Sequence, residues 1–193
     1  MHHALSRLDR LLLEWLHQHS TPAGVTLFLF ISRLGAPEAL IAIGIIGAML
    51  LVARREWIVL GGWSAAFAGT ALIDHWLKLA VHRPRPIYAT TFLHNPTWSF
   101  PSGHAMWAVV GYGMLTYVIV LLRRPSRQAR NLIVAAATLL VLAIGASRLY
   151  LGVHYFTDVA GGYLAGLIWL ATCILAVELA RRWQPLPQLH PKS

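Results

Sequence analysis

Cys173 is the only cysteine in the chain. No intramolecular disulfide can form, and cysteine usage says nothing about redox compartment. Charge is also scarce. Only 12% of the 193 residues are charged, against about a quarter in an ordinary soluble domain. The shortage is greatest for acid, with 7 Asp+Glu against 16 Lys+Arg and a formal net charge of +9. A nucleic-acid-binding domain gathers its basic residues on one polar face. Here they fall between long apolar segments, so no nucleic-acid partner is expected, and anionic lipid or phosphate groups suit the charge better. No cleavable signal is expected, because Leu11, Leu12 and Leu13 make too short an apolar core and Glu14 interrupts it. No repeat at a fixed period and no low-complexity tract is present.

What the chain has in abundance is apolar length, with 57% hydrophobic residues. Five apolar segments stand out: roughly 37–53, 57–79, 103–122, 130–149 and 155–180. About 20 apolar residues cross the hydrocarbon core as a helix, and lipid leaves no other option to an unbarrelled backbone. The expected fold class is all-α, a polytopic transmembrane helix bundle with five clear spans. The first is marginal in length. Before it, Leu5, Leu8, Leu12, Trp15 and Leu16 share one helical face, the pattern of an amphipathic interfacial helix. Pro22 then opens a short apolar stretch, Val25 to Ile31, readable as a sixth, joined span or as a second interfacial helix. The chain thus divides into an N-terminal segment 1–36, a membrane core 37–182 and a Pro-rich tail 183–193 expected to fray on the cytoplasmic side. Arg54/Arg55, the 123–130 loop and Arg181/Arg182 share one side in a five-span count, which the positive-inside rule makes cytoplasmic. Loops 80–102 and 150–154 then face outward.

Three segments gather chemistry at that outer face. Lys78 and Arg85 are seven residues apart, about two helical turns. Pro84 and Pro86 disfavour further helix, so Arg85 turns off the helix end. Two cations there can hold one phosphate, the guanidinium taking two oxygens. Pro101-Ser102-Gly103-His104 precedes the next span, with Ser102 near the N-cap and the helix N-terminus offering free N–H groups to an anion. Gly103 permits close backbone approach, and His104 sits beside the anion. In the third segment Ser147-Arg148 is followed by His154 and Asp158. His154 and Asp158 are four apart at a helix start and share a face. Asp158 can therefore accept from one imidazole nitrogen and leave the other free to attack. Arg148 adds a cation. Phosphoryl transfer needs stabilised oxygens, an in-line nucleophile and a protonated leaving group. All three needs are met here without a metal or other cofactor. His104, His154 and Asp158 could make a facial metal triad, but the surrounding cations oppose one.

These segments resemble the signatures Lys-x6-Arg-Pro, Pro-Ser-Gly-His and Ser-Arg-x5-His-x3-Asp of the type-2 phosphatidic acid phosphatase / vanadium haloperoxidase superfamily, with every defining position filled. The resemblance implies a bacterial membrane lipid phosphatase of six helices with its site on the periplasmic or outer face. It implies that His154 forms a phosphohistidine assisted by Asp158, and that His104 protonates the leaving oxygen and later helps activate water. Lys78, Arg85, Ser102, Gly103 and Arg148 would bind the phosphoryl oxygens. Expected substrates are an isoprenoid diphosphate such as undecaprenyl diphosphate, phosphatidylglycerol phosphate or phosphatidate. A phosphotransferase would use the same site, a haloperoxidase would hold vanadate there, and a non-enzymatic lipid transporter should have lost a catalytic residue.

The remaining residues have plainer readings. His75, His82 and His94 are expected to be structural or solvated. Asp74 lies one turn before Lys78 and pairs with it. Glu178 is expected to pair with Arg181 or Arg182 at a helix end. Gly162 and Gly166 form a Gly-x-x-x-Gly pair best explained by packing within the bundle. Tyr88, Phe92, Trp98 and Phe100 read as interfacial aromatics or as the lining of a lipid route to the site.

Overall fold

A computed structural model describes residues 2–92 and 97–183. His94 and the tail beyond Trp183 lie outside the described residues. Among the described residues seven helices follow one another: α1 (His2–Gln18), α2 (Pro22–Leu34), α3 (Pro37–Ala53), α4 (Trp57–Val81), α5 (Gly103–Arg123), α6 (Arg127–Tyr150) and α7 (Phe156–Arg182), with a short 3₁₀ turn at Ile87–Thr91. No strand occurs among the described residues, so the all-α expectation holds.

Each helix end has a local cause. Thr21 accepts from the Gly24 N–H at 3.1 Å, and Pro22 occupies the first turn of α2, where its missing N–H costs nothing. Gly35 ends α2 and Pro37 restarts the chain as α3. The pair forms one broken span, Pro22–Ala53, long and apolar enough to cross a membrane. The short stretch after Pro22 is therefore the first part of the first span, neither a sixth span nor an interfacial helix. α4, α5, α6 and α7 are the other four. Their ends alternate, so the last turn of α4, the first turn of α5, the last turn of α6 and the first turn of α7 lie at one end of the bundle. The Thr21 N–H donates to the Tyr150 hydroxyl at 3.0 Å, which puts the start of α2 at that end too. The arginine pairs at 54/55, 123/124 and 181/182 close the helices at the other end.

α5 is the central helix, packed against α3, α4, α6 and α7. It is buried on several faces at once, including Ala105, Met106, Val110 and Met114, as an apolar helix without a polar stripe must be. Glycines set its distance from α7. A β-carbon on Gly162 would stand 2.6 Å from the Ser102 carbonyl oxygen, and one on Gly166 would stand 3.0 Å from the Val109 Cβ. The Gly-x-x-x-Gly pair thus seats α7 on α5 inside one molecule. At the far end Tyr117 donates to Glu178 at 2.7 Å and Arg181 pairs with Glu56 at 3.6 Å. This corrects the expected Glu178 pairing: Glu178 accepts from Tyr117 of α5, and Arg181 turns to Glu56 just ahead of α4.

α1 lies across the end of the bundle that carries the three motifs. It turns one edge of its apolar stripe inward, with Leu12 and Leu16 half-buried. Leu13 and Asp9 are buried, while Leu8 and Trp15 remain exposed. His17 stacks on Tyr88 with ring centroids 3.7 Å apart.

Candidate active site

The turn between α6 and α7 presents His154. Gly152 adopts φ 64° in it, a conformation that a Cβ disfavours. The turn is fastened by the Leu151 N–H on the Ser147 carbonyl and the Val153 N–H on the Arg148 carbonyl. His154 is 3% exposed. Its Nε2 lies 3.1 Å from Arg85 Nη1. A guanidinium can only donate, so Nε2 holds a lone pair and the imidazole proton sits on Nδ1. Nδ1 faces Asp158 Oδ2 at 3.6 Å. Burial, with Arg85 and Arg148 nearby, holds His154 well below the usual imidazole range, at about 4, despite the opposing pull of Asp158. The imidazole is neutral at ordinary pH.

The expected direct Asp158–imidazole hydrogen bond is not formed at this distance, because the carboxylate is engaged elsewhere. Its Oδ2 accepts from Ser99 Oγ at 2.5 Å and from the Tyr155 N–H at 2.9 Å. Its Oδ1 accepts from Arg83 Nη1 at 2.6 Å. Ser99 and Arg83 are contacts that sequence reasoning missed. In the sequence Arg83 is simply one more basic residue of the 80–102 loop, and Ser99 has no spacing signal at all.

Arg85 is anchored as well as exposed to the site. Its Nε donates to the Thr97 carbonyl at 2.6 Å and its Nη1 to the Val153 carbonyl at 3.0 Å. Burial draws its pKa below the ordinary value, against the pull of Asp158 and Asp74; an arginine starts so high that it stays charged. Lys78 pairs with Asp74 at 2.6 Å, as the four-residue spacing suggested. Gly103 packs against that pair: a Cβ there would lie 3.2 Å from Lys78 Nζ. His104 follows in the first turn of α5, within electrostatic range of Arg148, His154, Lys78 and Arg85. Arg148 is 6% exposed and donates through Nη1 to Ser32 of α2.

Ser102 holds the N-cap position of α5, but its hydroxyl caps nothing. It is fully buried, and its backbone N–H donates to the Asp158 carbonyl at 2.9 Å. Among the described residues, the buried side-chain polar atoms without a hydrogen-bond partner are Ser102 Oγ, Arg148 Nε, His154 Nδ1 and Asp74 Oδ1. All four belong to this one site. An unsatisfied buried polar group costs about 1–3 kcal/mol. Four of them in one place suit a site preorganised for a polar ligand.

A cavity of about 450 Å³ opens beside these groups, lined by His75, Lys78, Leu79, Pro84, Arg85, Thr97 and Trp98. Trp98 is the only one of the four aromatics to line it. Tyr88 stacks on α1, Phe92 packs against Ala89, Leu151 and Val153, and Phe100 packs against Gly161. His82 ends α4 in a left-handed conformation and packs edge-on to Trp98. His75 is exposed at the mouth. Among the described residues, no group of three His, Cys, Asp or Glu side chains is arranged to hold a metal ion. A separate groove of about 270 Å³ between the middles of α5, α6 and α7 is almost wholly apolar, with no charged side chain among its lining residues.

A family model described as "PAP2 superfamily" matches residues 57–182, which include all three motifs. The chain belongs to the PAP2 superfamily. It is 35% identical over 139 residues to phosphatidylglycerophosphatase B of Bacillus subtilis, covering 72% of this chain and 68% of that one. It is 34% identical over 126 residues to decaprenylphosphoryl-5-phosphoribose phosphatase of Mycolicibacterium smegmatis, covering 63% and 61%. In three dimensions it matches a solved transmembrane PAP2-type phosphatidylglycerolphosphate phosphatase from Bacillus subtilis with a TM-score of 0.82. That match has 30% identity and covers 95% of this chain and 89% of the other. Aquifex aeolicus LpxE matches at 0.64 with 25% identity, over 87% and 95%. The expectation of an integral membrane enzyme of this family therefore stands.

Proposed function

We propose that this PAP2 protein hydrolyses a lipid phosphate by way of a phosphohistidine on His154, with the site on the periplasmic or outer face. One observation carries the reading. Arg85 donates to His154 Nε2, which leaves that nitrogen with a lone pair and places the same guanidinium where it can grip the arriving phosphate. In the first half-reaction Nε2 attacks phosphorus in line and the N–P bond forms as the P–O bond to the lipid breaks. His104 gives its proton to the leaving lipid oxygen. Lys78, Arg85, Arg148, the Ser102 hydroxyl and the Gly103 N–H at the start of α5 hold the equatorial oxygens. In the second half-reaction water attacks phosphorus, His104 takes its proton and the N–P bond breaks. Asp158 holds the Nδ1 proton throughout, closing its 3.6 Å gap as the imidazole becomes cationic; catalytic hydrogen bonds commonly tighten only with substrate bound.

The relatives' activities keep two substrate classes in view, glycerophospholipid phosphates and polyprenyl-linked phosphates. Among these, phosphatidylglycerol phosphate is the substrate proposed, on the likeness to the Bacillus subtilis phosphatase in sequence and in fold. The test is phosphate release in detergent micelles containing EDTA, comparing wild type with His154→Ala on phosphatidylglycerol phosphate, undecaprenyl diphosphate and phosphatidate. Release by wild type alone, fastest from phosphatidylglycerol phosphate, is expected. Release that EDTA abolishes, or that His154→Ala retains, contradicts the mechanism. Phosphate appearing on a second lipid without release identifies a phosphotransferase.

A further inference from the structure

Asp9 lies in α1, outside all three motifs, and is 2% exposed. A carboxylate is almost never so deeply buried unless its lone pairs are taken up. Its Oδ2 accepts from Arg83 Nη2 at 2.7 Å and from Thr157 Oγ1 at 2.6 Å, and its Oδ1 accepts from the Thr157 N–H at 3.0 Å. Thr157 stands in the first turn of α7, between Phe156 and Asp158. Asp9 thus caps α7 from another helix, placing a negative charge where the helix end is partly positive. Arg83 completes the link. Its Nη1 donates to Thr157 Oγ1 and to Asp158 Oδ1, each at 2.6 Å. One guanidinium is therefore shared between Asp9 on one side and Asp158 on the other. Burial lowers its pKa, but the two carboxylates outweigh that and raise it, so it is a permanent cation between them. Asp9, Leu12, Leu13 and Leu16 fill a closed seam against Leu149, His154, Tyr155 and Phe156.

We infer that Asp9 is a positioning residue for the nucleophile, acting through Arg83 and Thr157 to hold Asp158 at the distance from which it serves His154. This rests on the reading of His154 as nucleophile. With Asp9 neutral, the whole charge of Arg83 falls on Asp158. The carboxylate is then drawn toward Arg83 and away from His154 Nδ1, and the N-terminus of α7 loses the negative charge beside it. α1 is by this account part of the catalytic apparatus as well as an amphipathic element at the bundle end.

The test measures phosphate release from phosphatidylglycerol phosphate by wild type, His154→Ala and Asp9→Asn, as kcat, KM and the pH dependence of kcat/KM. Asp9→Asn should lower kcat by about 10- to 100-fold, the scale on which small misplacements act, with KM nearly unchanged. Its acid limb should move to lower pH, because His154 loses negative potential while Arg85 and Arg148 still face it. A variant that had merely lost folded protein would scale the profile without moving the limb. That result overturns the inference, as does an unchanged kcat. If Asp9→Asn does not purify as a folded protein, Asp9→Glu, which keeps the charge and displaces it by one methylene, should lower kcat with KM and the acid limb in place, and an unchanged kcat overturns the inference. Wild type releasing no phosphate removes the nucleophile reading and this inference together. An active wild type, an inactive His154→Ala and an unaffected Asp9→Asn remove this inference alone.

Discussion

At the residue scale the site depends on donors that are already paired with protein but can be re-aimed at a phosphate. Arg85 is the clearest. Its Nε and Nη1 bonds to the Thr97 and Val153 carbonyls fix the plane of the fork, and Nη1 still reaches His154. Lysine keeps the charge and loses the fork, so Arg85→Lys should reduce kcat/KM by about 10²–10³-fold, as removal of one preorganised oxyanion donor does. Steady-state kinetics on one lipid phosphate checks it; a loss under about threefold would show that charge alone suffices. The buried imidazole yields a pH prediction. Folded His154 takes up its proton at about 4, an exposed histidine at about 6.5. The unfolded chain therefore binds more protons between those values, and stability rises with pH across the window. Activity needs the neutral ring, so kcat/KM should hold through pH 6 and fall only as pH drops toward 4. A midpoint near 6.5 in that profile would mean that burial does not control the group.

At the element scale, helix ends bring distant segments together, and this was partly legible beforehand. Pro84 and Pro86 mark the exit of α4, the Pro-Ser pair the entry of α5, and Gly152 the turn into α7. Each punctuates the chain for a local steric reason that needs no tertiary information. All eight candidate site residues meet at one bundle end for that reason. What stayed hidden depends on tertiary contact alone. Asp9 falls within the apolar stripe of α1, but nothing in that spacing names its partners, and only the docking of α1 reveals them. Ser99 and Ser32 are ordinary polar residues until Asp158 and Arg148 are placed against them. The broken first span was misjudged because Gly35, Ala36 and Pro37 interrupt the apolar run that α2 and α3 share. The seat of α7 on α5 gives a further prediction. Gly162→Ala puts a methyl 2.6 Å from the Ser102 carbonyl, so the helices must part, at about 1–3 kcal/mol for an overpacked core. Thermal unfolding in detergent should show a lower midpoint together with lost activity, since Ser102 moves too. An unchanged midpoint would mean that the contact relaxes without cost.

At the scale of the whole molecule, five spans leave the motif-bearing end and the arginine-bearing end on opposite sides of a bilayer. The orientation proposed from the positive-inside rule has the arginine end in the cytoplasm and the cavity at Lys78 and Arg85 outside. Cys173 is buried and dispensable for labelling, so a Cys173→Ala chain can carry one reporter cysteine at a time. In sealed right-side-out vesicles, an impermeant maleimide should modify a cysteine at Thr97 and not one at Arg124; the reverse pattern would invert the assigned orientation. The central claim is the covalent intermediate, and rapid acid-free quenching with a phosphate-labelled lipid substrate tests it most directly. The account predicts a protein-bound label that is stable to base, labile to acid and mapped to the peptide containing His154, and absent from His154→Ala. A wild-type enzyme that turns over with no label at that peptide, or a label persisting in His154→Ala, would contradict it.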